Sequence, residues 1–141
     1  MIMVDRSVRA EPERVWDFVA RVADWAALLP TVDHVEQVSG TEPPSLGARY
    51  AIRQPGLARL VYEITRWDPP RSFTWVAGAP GVRTTATHEV ATAPGGSVLR
   101  LTLGWTGALA PLVRLLFSRR TRAYVELEAA TFARLAEEQG A

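Results

Sequence analysis

Histidine is the side chain best suited to proton transfer near neutral pH, and the sequence contains only two, His34 and His88. Residues 82–90 alternate in polarity so that His88 falls on the more apolar side of a predicted strand. There it could hydrogen-bond a ligand carbonyl or act as a general base, or it could be a structural histidine bonded to a neighbour. His34 follows Asp33 in a short predicted strand and is expected to face water. His88 is therefore the one candidate catalytic residue.

Tyrosine and tryptophan side chains form a second set of candidates. Tyr50 and Tyr62 share the strand parity of neighbouring aliphatic residues, which predicts that both rings point inward. The same alternation predicts that Trp75 and Trp105 point inward and that Trp67 points outward. A buried tyrosine hydroxyl needs a hydrogen-bond partner, which could be a ligand, the backbone or water. The inward rings therefore either line a binding cavity or pack a closed core.

Three arginines, Arg119, Arg120 and Arg122, are clustered in a predicted C-terminal helix. Arg120 lies near the apolar stripe of that helix, where it could pair with an anionic head group or an inward carboxylate. Arg119 and Arg122 lie off the stripe. A solvated, salt-bridged helix face is the alternative interpretation of the cluster.

The sequence lacks the residue motifs typical of metal-dependent, nucleotide-dependent and serine-nucleophile enzymes. There is no cysteine, and the two histidines are too far apart in sequence for a paired metal motif, so we expect no metal. No glycine-rich phosphate loop, dinucleotide fingerprint or nucleophile elbow occurs, so we expect no cofactor.

Net charge and hydropathy limit the classes of partner that the sequence predicts. Sixteen arginines against fifteen acidic residues leave a net charge of +1, which gives no overall attraction to nucleic acid or to an anionic membrane. The N-terminal residues do not resemble a signal peptide, and no apolar run is long enough to span a bilayer. We therefore expect a cytoplasmic protein, either a monomer or a homodimer, with no nucleic-acid partner and no stable membrane insertion.

The order of predicted elements gives the fold class. A strand over residues 2–9 is followed by helical segments with Glu11, Glu13 and Pro12 in a first turn, and Pro30 ends them. Six further strands, joined by short turns rich in glycine and proline, are predicted at 32–38, 48–54, 59–67, 72–77, 82–92 and 97–105. One long helix is predicted from about residue 108 to 138.

The long helix should cover the sheet. It is the only element long enough to cover a curved antiparallel sheet, and we expect it to pack there through Leu112, Leu116, Ala123 and Leu127. The short helices carrying Trp16 and Trp25 are then expected to close one end of the space between sheet and helix.

These segments resemble a known superfamily. The stretch VWDFVARVADWAALLPTVDHVE, the strand LGARYAIRQPG, the hairpin YEITRWDPPRSFTW and a terminal helix after LTLGWTG are similar to those of the START-like helix-grip (SRPBCC) superfamily, in its polyketide cyclase/dehydrase and lipid-transport branch. The resemblance spans the chain and implies an α+β helix-grip fold. In this fold, two short helices follow strand 1 and a curved seven-stranded antiparallel sheet wraps around a long C-terminal helix. It also implies one START-like domain over residues 1–141 with an internal cavity for an apolar or amphipathic molecule.

Three functions remain open at this point, one of them an interaction-only or chaperone-like role. The favoured one is a binding or carrier protein for a hydrophobic or amphipathic small molecule, lipid-like or polyketide-like. The alternative is an aromatase/cyclase or dehydratase-type enzyme that uses a cavity lined by tyrosine, histidine and arginine. The candidate ligand-binding residues are Tyr50, Tyr62, Trp75, His88, Trp105, Leu116, Arg120 and Tyr124.

Overall fold

The computed structural model describes residues 1–139 of the chain, so residues 140 and 141 of the expected domain lie outside the described residues. Seven strands are present in the order β1 (Ile2–Val8), β2 (His34–Ser39), β3 (Arg49–Arg53), β4 (Leu60–Asp68), β5 (Ser72–Ala79), β6 (Val82–Ala93) and β7 (Gly96–Thr106). Three α-helices accompany them: α1 (Pro12–Val19), α2 (Trp25–Leu28) and α3 (Ala110–Gln139). A short 3₁₀ turn, Val22–Asp24, joins α1 to α2.

The strands form one curved antiparallel sheet in the order β1-β7-β6-β5-β4-β3-β2. The six strands from β2 to β7 pair in sequence through short connections, and β1 closes the far side against β7. Helix α3 lies across the concave face, where its residues join the sheet residues in one core. The predicted α+β helix-grip fold is confirmed.

The two halves of α3 meet the sheet differently. In the C-terminal half, Val125, Ala129, Phe132 and Ala136 are buried in the core. Three of the buried positions in this half are alanines, and such small side chains let a helix lie close to a sheet. In the N-terminal half, Val113 and Phe117 are only partly buried. The first half therefore stands above the sheet as a roof, and the second half is anchored in the core.

The predicted contact face of this helix is wrong. Leu112, Leu116 and Leu127 are 50%, 63% and 46% exposed, and Ala123 is also exposed. The face that turns inward lies one residue further along the chain, at Val113, Phe117, Thr121, Val125, Ala129, Phe132 and Ala136. These positions recur every three or four residues, so they also form a helical stripe. The prediction chose the wrong side because leucines are the more strongly apolar residues of the helix.

The prediction for Trp67 is also wrong. A register shift between Ile64 and Arg66 interrupts the pairing of β4 with β5. An extra residue of this kind reverses the parity of every side chain beyond it. Trp67 is consequently turned inward, with its ring centroid 5.4 Å from that of Trp16 and 5.6 Å from that of Phe73.

The short helices close one end of the structure, as expected. Trp25 is buried, and its ring meets those of Trp75 at 5.2 Å and Phe132 at 5.7 Å, both edge to face. Its indole N–H donates to the carbonyl oxygen of Val19 at 3.2 Å, so the polar end of the ring is satisfied. The aromatic cluster fills this end with side chains and leaves the open space at the other.

Candidate functional site

A cavity of about 220 Å³ lies between the concave face of the sheet and the roof half of α3. Its volume is slightly below the ~300–1,000 Å³ typical of small-molecule sites. Strands β3 to β7 supply most of the floor and α3 supplies the roof. The wall consists of Ile52, Gln54, Leu57, Ala58, Leu60, Tyr62, Ala77, Ala79, Val82, Thr84, Leu103, Trp105, Val113, Phe117 and Thr121. Twelve of these fifteen side chains are aliphatic or aromatic, so the cavity favours an apolar occupant.

A smaller inner chamber of about 50 Å³ adjoins this cavity. The two spaces share the side chains of Ile52, Gln54, Tyr62, Leu103 and Thr121. The inner chamber also touches groups absent from the outer one: Trp25, Val32, Trp75, Ala86, His88, Tyr124, Val125 and Glu128. The polar and titratable groups are therefore concentrated at the inner end.

Glu128 is the most unusual of these groups. It extends from the inward side of α3, and one carboxylate oxygen, Oε1, accepts hydrogen bonds from the Thr31 hydroxyl at 3.1 Å and the Gln54 amide at 3.2 Å. Burial raises the pKa of Glu128 from 4.5 to about 7, and these two hydrogen bonds oppose the rise. A carboxyl group with a pKa near neutrality can donate or accept a proton under physiological conditions.

His88 lies opposite α3 on strand β6, buried in the aromatic cluster. Its ring stacks on that of Phe73 with centroids 4.2 Å apart and planes inclined by 10°, and it meets Trp75 edge to face at 5.6 Å. Burial lowers the pKa of His88 to about 4. A hydrogen bond to the backbone of Phe73 opposes this shift in pKa but is the smaller effect. Its Nδ1 atom is buried without a hydrogen-bond partner among the described residues. A neutral imidazole with a free ring nitrogen suits hydrogen bonding to a ligand better than proton abstraction at neutral pH.

Tyr62 links the two spaces because its ring contributes to the wall of both. The ring stacks on Trp75 with centroids 4.8 Å apart. Burial, followed by the charge of Glu128, raises the pKa of Tyr62, so the hydroxyl stays protonated and can donate a hydrogen bond. Tyr50, by contrast, is buried away from both spaces, and its hydroxyl donates to the Glu42 carboxylate at 3.1 Å.

The sequence-predicted site residues fall into three groups. Tyr62 and Trp105 line the outer cavity, and Tyr62, Trp75, His88 and Tyr124 line the inner chamber. Tyr50, Leu116 and Arg120 line neither space. Tyr124 and Arg120 also hold the β3–β4 loop: the Tyr124 hydroxyl donates to the carbonyl oxygen of Pro55 at 2.5 Å, and the Arg120 guanidinium donates to that of Gly56 at 3.0 Å.

Sequence reasoning missed Glu128, Thr31 and Gln54. Glu128 lies three residues after Val125 and four before Phe132, which places it on the true inward stripe of α3. With the stripe assigned to the leucines, Glu128 was not among the candidate site residues. A carboxylate inside an apolar helix face is the signal that the correct register would have revealed.

Solved structures of similar fold include a synthase and an ARO/CYC protein. Norcoclaurine synthase from Thalictrum flavum superimposes with a TM-score of 0.78 at 15% identity, over 99% of this chain and 95% of that one. The di-domain ARO/CYC protein StfQ of the steffimycin biosynthetic pathway gives a TM-score of 0.79 at 12% identity, over 99% of this chain and 51% of that one. A protein from Thermus thermophilus gives a TM-score of 0.75 at 18% identity, with 99% of both chains covered. At these identities the likeness concerns the fold.

Sequence comparison gives a more specific result. No curated protein sequence matches the chain. A family model described as polyketide cyclase/dehydrase and lipid transport matches residues 1–137, which is nearly the whole chain and includes every element that forms the cavity. This chain is therefore a member of the polyketide cyclase/dehydrase and lipid-transport family.

Proposed function

We propose that the protein is a carrier that binds a small hydrophobic or amphipathic molecule reversibly in the outer cavity. The polar end of the ligand points to the inner chamber, where Tyr62, His88 and Glu128 can hydrogen-bond it. The observation that carries the proposal is the segregation of the site: the outer wall is almost wholly apolar, and His88 and Glu128 line only the inner end.

The energetics favour this division. Each Å² of apolar ligand surface removed from water contributes about 25 cal/mol, so the outer wall supplies most of the affinity. Two or three hydrogen bonds then suffice for orientation. A carbonyl or hydroxyl group fits the inner end, because Tyr62 offers an O–H donor and the unpartnered Nδ1 atom of the neutral His88 ring can accept a hydrogen bond.

The first test looks for a ligand directly. Native mass spectrometry of the purified protein should detect a co-purified molecule, and the protein should bind anilinonaphthalene sulfonate with saturable fluorescence. Adding bulk at the roof with Val113→Trp should abolish saturable probe binding, because this side chain contributes to the cavity wall.

Leu112→Trp is the matched control, since it adds a similar bulk one residue away on the exposed face of the same helix. It should leave probe affinity within about twofold of the wild-type value. Equal loss in the two variants, or probe binding that does not saturate, would count against binding in the cavity.

A second candidate function, an aromatase/cyclase or dehydratase-type reaction, is favoured by one observation. Glu128 has a pKa near 7 and shares a chamber with Tyr62 and His88, which is the arrangement expected of a proton donor and its supporting groups. Incubation with a poly-β-ketone thioester separates the two functions. A carrier returns the compound unchanged, whereas an enzyme converts it at a rate that Glu128→Gln lowers by at least ~100-fold.

A further inference from the structure

The outer side of the roof half of α3 exposes three leucines that the core does not use, and the turn just before the helix exposes a fourth. These residues, Leu109 in the turn and Leu112, Leu115 and Leu116 in the helix, are here called the leucine face and are between 46% and 80% exposed. Leu115 and Leu116 follow Leu112 by three and four residues, so both are neighbours of Leu112 on the helix surface. The opposite side of the same turns, at Val113 and Phe117, already lines the cavity. The leucine face is thus an apolar surface additional to the ligand site.

The leucine face adjoins one end of the cavity, here called its mouth, where the wall residues Leu57 and Ala58 come from the β3–β4 loop and Ala79 and Val82 flank the β5–β6 turn. The amide N–H of Leu109 donates to the carbonyl oxygen of Gly81 at 2.8 Å, which joins the start of α3 to the β5–β6 turn. Arg120 joins α3 to the β3–β4 loop through Gly56 at 3.0 Å, and Arg114 donates to the carbonyl oxygen of Trp105 at 3.2 Å. Segments 53–59, 79–83 and 105–122 therefore meet at one end of the molecule.

These three segments have a one-sided charge. They contain seven of the sixteen arginines and none of the fifteen acidic residues, and all seven arginines are exposed: Arg53, Arg59, Arg83, Arg114, Arg119, Arg120 and Arg122. Of the seven, only Arg122 has an ion pair among the described residues, with Glu126 at 4.0 Å. The remaining chain carries nine arginines against all fifteen acids. The net charge of +1 thus conceals a strongly cationic mouth on an otherwise anionic molecule.

We propose that the leucine face and its surrounding arginines form a docking surface for an anionic lipid bilayer. Leucines that reach the headgroup–acyl boundary, ringed by cations that pair with lipid phosphates, are the two features that drive reversible binding at a membrane surface. Docked in this way, the cavity mouth faces the lipid, so an apolar ligand can move between bilayer and cavity without crossing bulk water. The contact is peripheral, since no helix of the described residues is long and apolar enough to cross a membrane.

Charge argues against a second copy of this chain as the occupant. A twofold dimer built on the leucine face would bring the same surface of each copy together. Two clusters of seven arginines would then oppose each other, and like charges across an interface are destabilising. An anionic bilayer supplies the complementary charge and an apolar interior at the same time.

The test is co-sedimentation of the full chain with vesicles of phosphatidylcholine alone or of phosphatidylcholine mixed with phosphatidylglycerol. We expect binding to the anionic vesicles only, weakening as salt is added. Each exposed cation near an anionic surface raises partitioning roughly fivefold, so the triple variant Arg59→Gln, Arg83→Gln, Arg119→Gln should bind about a hundredfold more weakly. Leu115→Ser should reduce partitioning about tenfold, because it removes the most exposed leucine.

Two control variants distinguish this surface from general effects. Arg6→Gln, Arg66→Gln, Arg71→Gln makes the same change in net charge at exposed arginines outside the mouth, and Leu46→Ser removes an exposed leucine from the β2–β3 loop. Both should retain wild-type binding within about twofold. The proposal is overturned by equal binding to the two vesicle types, by no binding, or by equal loss in the control triple. It is also overturned if Leu115→Ser abolishes a dimer instead. Probe binding in the cavity is measured without vesicles, so it tests the proposed carrier function independently of membrane docking.

Discussion

The shifted pKa values of Glu128 and His88 predict how the free energy of unfolding depends on pH. Each contribution can be removed by a single substitution. In the folded protein Glu128 has a pKa of about 7 in place of 4.5, so between these values the folded state binds a proton that the unfolded chain has released. The free energy of unfolding must therefore fall as the pH rises through this interval. A displacement of this size corresponds to a loss of about 3 kcal/mol from Glu128 alone.

His88 produces the opposite slope. Its pKa is about 4 in the folded protein and 6.5 ordinarily, so between these values the unfolded chain binds the extra proton. The free energy of unfolding consequently rises with pH, again by about 3 kcal/mol. The two contributions oppose each other from about pH 4.5 to about pH 6.5 and largely cancel in the wild-type protein. The substitution Glu128→Gln should expose the rising slope, and His88→Gln the falling one.

Urea unfolding followed by tryptophan fluorescence, from about pH 4.5 to about pH 7.5, measures these slopes directly. The quantity to compare is the difference between variant and wild type at each pH, because contributions from all other titrating groups cancel. Relative to wild type, Glu128→Gln should gain stability as the pH rises and His88→Gln should lose it. The double variant should differ from wild type by a nearly constant amount. A Glu128→Gln difference that does not change with pH would refute the buried, partly protonated carboxyl on which the site description rests.

Three further predictions address the fold and the cavity. Phe132→Ala should lower the free energy of unfolding by about 3–5 kcal/mol because the side chain is fully buried. The control Leu116→Ala should change it by less than about 0.5 kcal/mol. Similar losses for the two variants in urea titrations would contradict the helix register. Trp105→Phe should remove most of the tryptophan fluorescence change that an apolar ligand causes, since Trp105 lines the outer cavity, and an unchanged response would place the ligand elsewhere. Gly81→Ala should destabilise by at least about 1 kcal/mol, because φ is +80° and an added Cβ would lie 2.7 Å from a neighbouring side chain, while Gly78→Ala meets no atom within 4 Å and should melt no lower than wild type.

The sequence was sufficient for the architecture because the relevant signals are local and repeated. Alternating strands, turn residues between them and one long terminal helix leave few arrangements, and the strand parity of Tyr62, Trp75 and His88 correctly predicted that they point inward. The parity of Trp67 was not predictable, because the bulge that reverses it has no marker in the alternation of β4. One inserted residue moves every later side chain of that strand to the other face of the sheet.

The register of α3 could not be read from hydrophobicity because the helix has two apolar faces in its first half. Leucines mark the outer face, and the smaller set of Val113, Phe117 and Thr121 marks the inner one. Pattern reasoning assigns the stronger apolar stripe to the core, which holds when a helix has one partner. The same error hid Glu128, so the main titratable group of the site and the leucine face were lost together.

The composition of α3 explains why one helix can serve both the cavity and the surface around its mouth. Its second half is packed by Ala129, Phe132 and Ala136, which fix its position against the sheet. In its first half only the small side chains of Ala110 and Thr121 are buried, and hydrogen bonds of Arg114 and Arg120 to backbone carbonyls also hold this half in place. Segments with few buried contacts open at a lower free energy than the packed core. We therefore expect the roof half to open at a lower free energy than the anchored half, the sheet and the inner chamber around Glu128, and to be the part that moves during exchange of the proposed ligand.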